Sequence, residues 1–180
     1  MKNPENLSQI VAGCKKGDPQ SFSQLVDIYA TRCYSYFYRL TSNPEQSSDL
    51  LSELFVKLLE KIGSYKGGLF EAWLFKIASN IFYDQLRQRQ RQKKLLENRI
   101  LLQNQANKSP TGSEAETIDK LQIQLEKLDT ETAELLTLRF YSGLSFKELA
   151  KLRSEPIGTT LSKVHRGLKK LRELMEENHD

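Results

Sequence analysis

The sequence is poor in the residues that carry most chemistry. It holds two cysteines, Cys14 and Cys33, and two histidines, His165 and His179. Two isolated thiols build neither a four-ligand metal site nor a disulfide framework, so reduced thiols in a cytoplasmic protein are the expectation. Neither cysteine has a histidine or a strongly basic stretch beside it, so both read as inert. No GxSxG, HExxH, P-loop or paired-ligand spacing occurs, and an enzyme is not expected. No window approaches the ~18 consecutive apolar residues of a membrane span. The opening MKNPENLSQIVAGCKKGD lacks the apolar stretch of a secretory signal, so no direct membrane insertion is expected. With only 9 glycines and 5 prolines, long helices go uninterrupted.

What is present points to an all-α chain. Of 180 residues, 38% are apolar and 28% charged, with a net charge of +4. That is enough apolar material for a core and too much for disorder. The apolar period stays near 3.6. A helix over 20–40 stripes Phe22, Leu25, Val26, Tyr29, Cys33, Tyr36, Phe37 and Leu40 on one side. A second, over 46–62, sets Leu51, Leu54, Phe55, Leu58 and Ile62 against Asp49, Glu53, Lys57 and Glu60. A third, over 70–94, turns Phe70, Leu74, Ile77, Ala78 and Ile81 inward. Residues 97–118, rich in Asn, Gln, Ser and Thr around Pro110 and Gly112, read as a flexible linker. The expectation is two small helical domains, a bundle over 1–96 and a helix-turn-helix unit over 119–180. In the second unit Ser145 and Glu148 form a capping box. A turn at 153–156 leads to a last helix over 158–176, with Val164, Leu168, Leu171 and Met175 inward.

Three patches carry potential chemistry. From Lys147 to Arg172 there are eight basic residues and two acidic ones. On the last helix Ser162, Arg166 and Lys169 point away from the apolar seam, with Lys163 and His165 flanking them. Such groups suit major-groove edges and phosphates, and the backbone at Gly158-Thr159 offers N–H groups to a phosphate. The third helix projects Lys76, Asn80, Tyr83, Arg87 and Arg91 on one face with Trp73 at its edge, a pattern for tracking a backbone and stacking unpaired bases. Trp73 is equally a core residue on this pattern. The acidic face of Asp49, Glu53 and Glu60 is either a solvated surface or a dock for a basic partner.

In order along the chain, four stretches resemble the sigma-70 family of bacterial RNA polymerase sigma factors, in its small two-domain extracytoplasmic-function (ECF) group. They are DLLSELFVKLLEKIGSYKG (49–67), FEAWLFKIASNIFYDQLRQRQR (70–91), LDTETAELLTLRFYSGLSFKELAKL (128–152) and PIGTTLSKVHRGLKKLREL (156–174). The resemblance implies a protein that binds core polymerase, directs it to promoters and helps melt the minus-ten region, with no cofactor and no small-molecule substrate. It implies polymerase contact through Asp49, Glu53 and Lys57, with the β′ coiled coil and the β flap as the elements of core polymerase that it meets. It implies minus-ten contacts from Trp73, Lys76, Asn80, Tyr83, Arg87 and Arg91. It implies minus-thirty-five contacts from Thr159, Ser162, Lys163, His165, Arg166 and Lys169. An anti-sigma factor is the expected regulator.

The sequence departs from the family pattern at several points. Ser52 replaces a common Gln, and the loop 66–69 is short. Ser154 and Glu155 replace Gly and an apolar residue, and Leu161 replaces Lys or Arg. Glu155 is expected to point outward, since burying a lone carboxylate is costly. Two alternatives remain open: a helix-turn-helix regulator that does not act with polymerase, and a sigma-mimicking adaptor that binds only protein.

Overall fold

The computed structural model describes residues 4–100 and 120–176, with side chains from 7–93 and 120–176. The linker expected over 97–118 lies outside the described residues, except that 97–100 continue a helix. The elements are α1 (Pro4–Lys15), α2 (Pro19–Thr41), α3 (Pro44–Lys61), a single 3₁₀ turn (Ile62–Ser64), α4 (Phe70–Ile100), α5 (Lys120–Glu126), α6 (Thr130–Tyr141), α7 (Phe146–Arg153) and α8 (Ile157–Glu176). The described residues contain no strand, and none of their helices is long and apolar enough to cross a membrane.

Local chemistry sets the boundaries. Asp18 starts α2 by accepting the N–H groups of Gln20 and Ser21, with Pro19 in the first turn, and Asn43 starts α3 by accepting the N–H of Gln46, with Pro44 in the first turn. The capping box at α7 is formed in both directions: Ser145 N–H donates to Glu148 Oε2 at 2.7 Å, and Glu148 N–H donates to Ser145 Oγ. Two differences from the periodicity stand out. The helix α1 was absent from the expected elements, and α4 runs past 94 to Ile100.

The first half builds its core from Leu25, Tyr29, Tyr36 and Phe37 of α2, Leu50, Leu54 and Leu58 of α3, and Leu74, Phe75 and Ile81 of α4. Cys14 and Cys33 are buried, and burial pushes the Cys33 thiol up to about 12, so neither offers a thiolate. The same core continues into the second half through Leu138, Leu144 and Leu149. A smaller cluster holds α5, α6 and α8 together through Leu125, Leu128, Leu135, Leu136 and Val164. The two halves therefore share apolar surface, with α2 packed on α5 and α6, and α4 packed on α7.

The inward stripe of α8 is a correction. Leu168, expected inside, is 37% exposed, and the buried positions are Thr160, Val164 and Gly167. At Gly167 an added Cβ would meet Thr132 Cγ2 at 2.8 Å, so side chains of α6 press on the bare backbone of α8. A reading that counts only large apolar residues misses an inward face made of Thr and Gly.

Candidate functional site

The first surface lies on α3. Asp49 and Glu53 are exposed on one face, and Lys57 Nζ pairs with Glu53 Oε1 at 2.6 Å. The same helix exposes Val56 (55%) and Leu59 (49%). Exposed apolar side chains rimmed by carboxylates mark a protein-docking face better than charge alone. Both residues were missed in the sequence, because a helix with a good buried stripe gives no reason to look for a second apolar one.

The second surface lies on α4. Asn80, Arg87 and Arg91 are exposed, and Arg87 Nη2 sits 2.5 Å from Asp84 Oδ1. Trp73 is half-buried, packed on Tyr65 and Phe70 at ring separations of 5.3 and 5.6 Å. Tyr65, on which it packs, donates its hydroxyl to Gly68 O at 2.6 Å in the loop 66–69, where Gly67 (φ 101°) and Gly68 (φ 96°) turn the chain in a region closed to most side chains. Lys76 and Tyr83 face the second half of the chain: Lys76 Nζ donates to Leu152 O at 3.1 Å. Tyr83 is half-buried, and burial with the nearby Glu134 charge raises its phenol pKa while Arg153 opposes the shift.

Between the halves lies a polar junction that sequence patterning did not reveal. Glu134 is completely buried. Its Oε1 accepts from Tyr36 Oη (3.1 Å) and Ser79 Oγ (2.9 Å), both in the first half. Its Oε2 accepts from Arg153 Nη1 at 2.6 Å. Burial raises the Glu134 pKa, and the Arg153 guanidinium and the hydroxyl donors offset part of that shift. Arg32 adds two bonds to the carbonyls of Tyr141 (3.0 Å) and Ser142 (2.5 Å) at the end of α6. Gln122 reaches Arg39 O and Ser42 Oγ.

The third surface is α8. Thr159, Ser162, His165, Arg166 and Lys169 are exposed. Lys169 lies 3.8 Å from Glu173, a weak surface pair. The N–H of Thr159 donates to Pro156 O at 3.0 Å, so that group is not open to a phosphate as expected. Lys163 is half-buried, its ammonium 2.9 Å from Glu131 Oε1 and 2.7 Å from Glu155 Oε2. Glu155 does not point outward. Its carboxylate folds back to accept from Thr160 Oγ1 at 2.8 Å and from Lys163, and Arg153 Nε lies 3.6 Å away. The partners that the lone-carboxylate argument lacked come from α7 and α8. Ser154 takes the left-handed conformation (φ 57°) that a glycine usually supplies there.

Comparison with known proteins assigns both halves of the chain to one family. The family model for sigma-70 region 2 matches residues 25–92, and that for sigma-70 region 4 matches residues 118–171. The chain is 30% identical to the RNA polymerase sigma factor CarQ of Myxococcus xanthus, covering 91% of this chain and 94% of that protein. It is 26% identical to the ECF RNA polymerase sigma factor SigW of Bacillus subtilis, covering 91% and 93%. It spans 67% of the ECF sigma factor BldN of Streptomyces coelicolor and 63% of SigE of Mycolicibacterium smegmatis. Among solved structures, the sigma factor RpoE in complex with the anti-sigma factor NepR from Bartonella quintana matches with a TM-score of 0.70 and 25% identity, over 87% of this chain and 98% of that one. CnrH in complex with the cytosolic domain of CnrY shares the fold, with a TM-score of 0.69 at 22% identity over 93% of this chain and 96% of that one. The models for regions 2 and 4, matched in that order, and relatives that align over nearly the whole chain place it in the sigma-70 family as an ECF-type RNA polymerase sigma factor.

Proposed function

We propose that this chain carries core RNA polymerase to specific promoters by dividing the work among the three surfaces. The α3 face, with Asp49, Glu53, Val56 and Leu59, binds a basic element of core polymerase. Exposed apolar side chains supply the contact, and the carboxylates set its orientation. The α4 face, with Asn80, Arg87 and Arg91, holds the non-template strand of the minus-ten region. The loop 66–69 beside Trp73 receives an unstacked base. Melting draws on polymerase binding energy and on stacking rather than on a cofactor. The N-terminal part of α8 reads the minus-thirty-five element in the major groove. Sigma factors are transcription initiation factors without catalysis of their own, and this one acts where polymerase does, in the cytoplasm.

The observation that carries this reading is the α3 face, because a DNA-binding regulator has no use for a second docking surface. The likeness to sigma factors over nearly the whole chain also stands against the regulator and the adaptor. The packed arrangement is read as the resting state. Lys76 and Tyr83 on the minus-ten face are occupied by α7, so binding DNA requires the halves to part. An anti-sigma factor is a fitting regulator, since the RpoE relative is in complex with one and resembles this chain across both halves.

The test is binding to sigma-free core polymerase, followed by run-off transcription from selected promoters. Wild-type chain binds tightly, and Asp49→Lys/Glu53→Lys loses binding. Equal binding by the two proteins, or none by either at low salt, rejects the proposal.

A further inference from the structure

Three apolar side chains of α8 are exposed, Ile157, Leu161 and Leu168, and none suits a phosphate-binding surface. Leu161 is 42% exposed, one residue from the buried Thr160. It shares a shallow, open concavity with Ser162, His165 and Arg166. An exposed leucine is ordinary by itself; its position is what matters. It lies in the first two turns of the recognition helix, the part that meets base edges in a helix-turn-helix complex. Ile157, the first residue of the helix, does not line this concavity, and Leu168 lies two turns further on and outside that reach.

The neighbouring groups narrow its role. Lys163, two residues on, is held by Glu131 and Glu155 and does not line the concavity. Arg166 Nε donates to Ser162 O at 3.3 Å, which leaves its other guanidinium donors available. The concavity therefore offers a hydroxyl, an imidazole, a guanidinium and, among them, one branched apolar tip. In the major groove only an A·T pair combines hydrogen-bonding edges with an apolar group, the 5-methyl of thymine.

We propose that Leu161 is a specificity-determining residue that reads a thymine 5-methyl group in the minus-thirty-five element, with Ser162, His165 and Arg166 on the adjoining polar edges. This rests on the promoter-reading role of α8 proposed above. The substitution of a leucine for a cation thus exchanges a sequence-blind phosphate contact for a base-selective one.

Replacing thymine by deoxyuridine removes the methyl and leaves every hydrogen-bonding group in place. Holoenzyme reconstituted from the full chain and core polymerase is first used to select duplexes from a pool randomised upstream of the start site. Each thymine of the selected element is then replaced singly by deoxyuridine. At one position the wild type loses about fourfold in affinity, the equivalent of one buried methyl group at ~0.8 kcal/mol. With Leu161→Ala that penalty disappears, and with Leu161→Ile it persists. Core polymerase binding, measured in the same preparations, reports that each variant is folded. No deoxyuridine penalty at any thymine, or a penalty that survives Leu161→Ala, overturns the proposal. Core binding with no upstream sequence enriched overturns it together with promoter reading by α8, whereas failure to bind core polymerase refutes the sigma reading itself.

Discussion

Ser79 and Tyr36 donate to one oxygen of a fully buried carboxylate on the opposite half of the chain. Removing both donors, in Tyr36→Phe/Ser79→Ala, keeps the side-chain volumes nearly unchanged and leaves the Glu134–Arg153 pair in place. A hydrogen bond to a charged acceptor contributes about 1.5–3 kcal/mol. The two bonds share Oε1, so their loss is less than additive, and about 2 kcal/mol for the pair is a conservative value. In the parted state Glu134 is hydrated in both proteins, so the difference falls on the packed state. The equilibrium then shifts by about thirtyfold toward parted molecules. If polymerase takes only parted molecules, the measured Kd equals the intrinsic Kd divided by the parted fraction. While that fraction is small, the variant binds core polymerase about thirtyfold more tightly, whatever the absolute fraction. Titration of labelled chain with core polymerase reads this directly, and circular dichroism checks that the variant is folded. Affinity within twofold of wild type, or weaker, refutes the reasoning that the Glu134 junction keeps the halves together against polymerase.

Other predictions follow from the same geometry. Because Lys163 is engaged by two carboxylates and Lys169 is exposed with only a weak surface pair, Lys169→Ala lowers the salt dependence of holoenzyme binding to promoter duplex by about one unit of slope while Lys163→Ala leaves it unchanged, as measured across a salt series. Ser154→Gly relieves a left-handed serine and stabilises the chain by about 0.5–1 kcal/mol, visible as a higher urea midpoint. The Glu131 pKa is held down by the Lys163 hydrogen bond, and that of Glu148 by the Ser145 bonds. Their stabilisation is present above the ordinary glutamate value of 4.5 and is lost as pH falls through the lower folded values. The thermal midpoint therefore drops as pH falls below about 4.5, and Glu131→Gln/Glu148→Gln makes that drop shallower.

The apolar period along the chain determined the helices, because a 3.6-residue repeat interrupted by Asn43-Pro44, Gly67-Gly68 and Gly143 admits little else. The capping box at Ser145 and the exposed residues of α8 were legible for the same reason: capping and amphipathicity are local. Legibility ended where partners come from distant segments. Nothing near Glu134 in sequence reveals that Tyr36 and Ser79 will satisfy it, and Glu155 meets Thr160 and Lys163, five and eight residues on, only through the way the turn after α7 folds against α8. The inward face of α8 depends on Gly167 meeting Thr132, a contact that no apolar count contains. Whether Lys76, Tyr83 and Lys163 present free groups is likewise a tertiary property. Charge is written in the sequence, but the carboxylate or carbonyl that engages it is chosen by how the two halves pack.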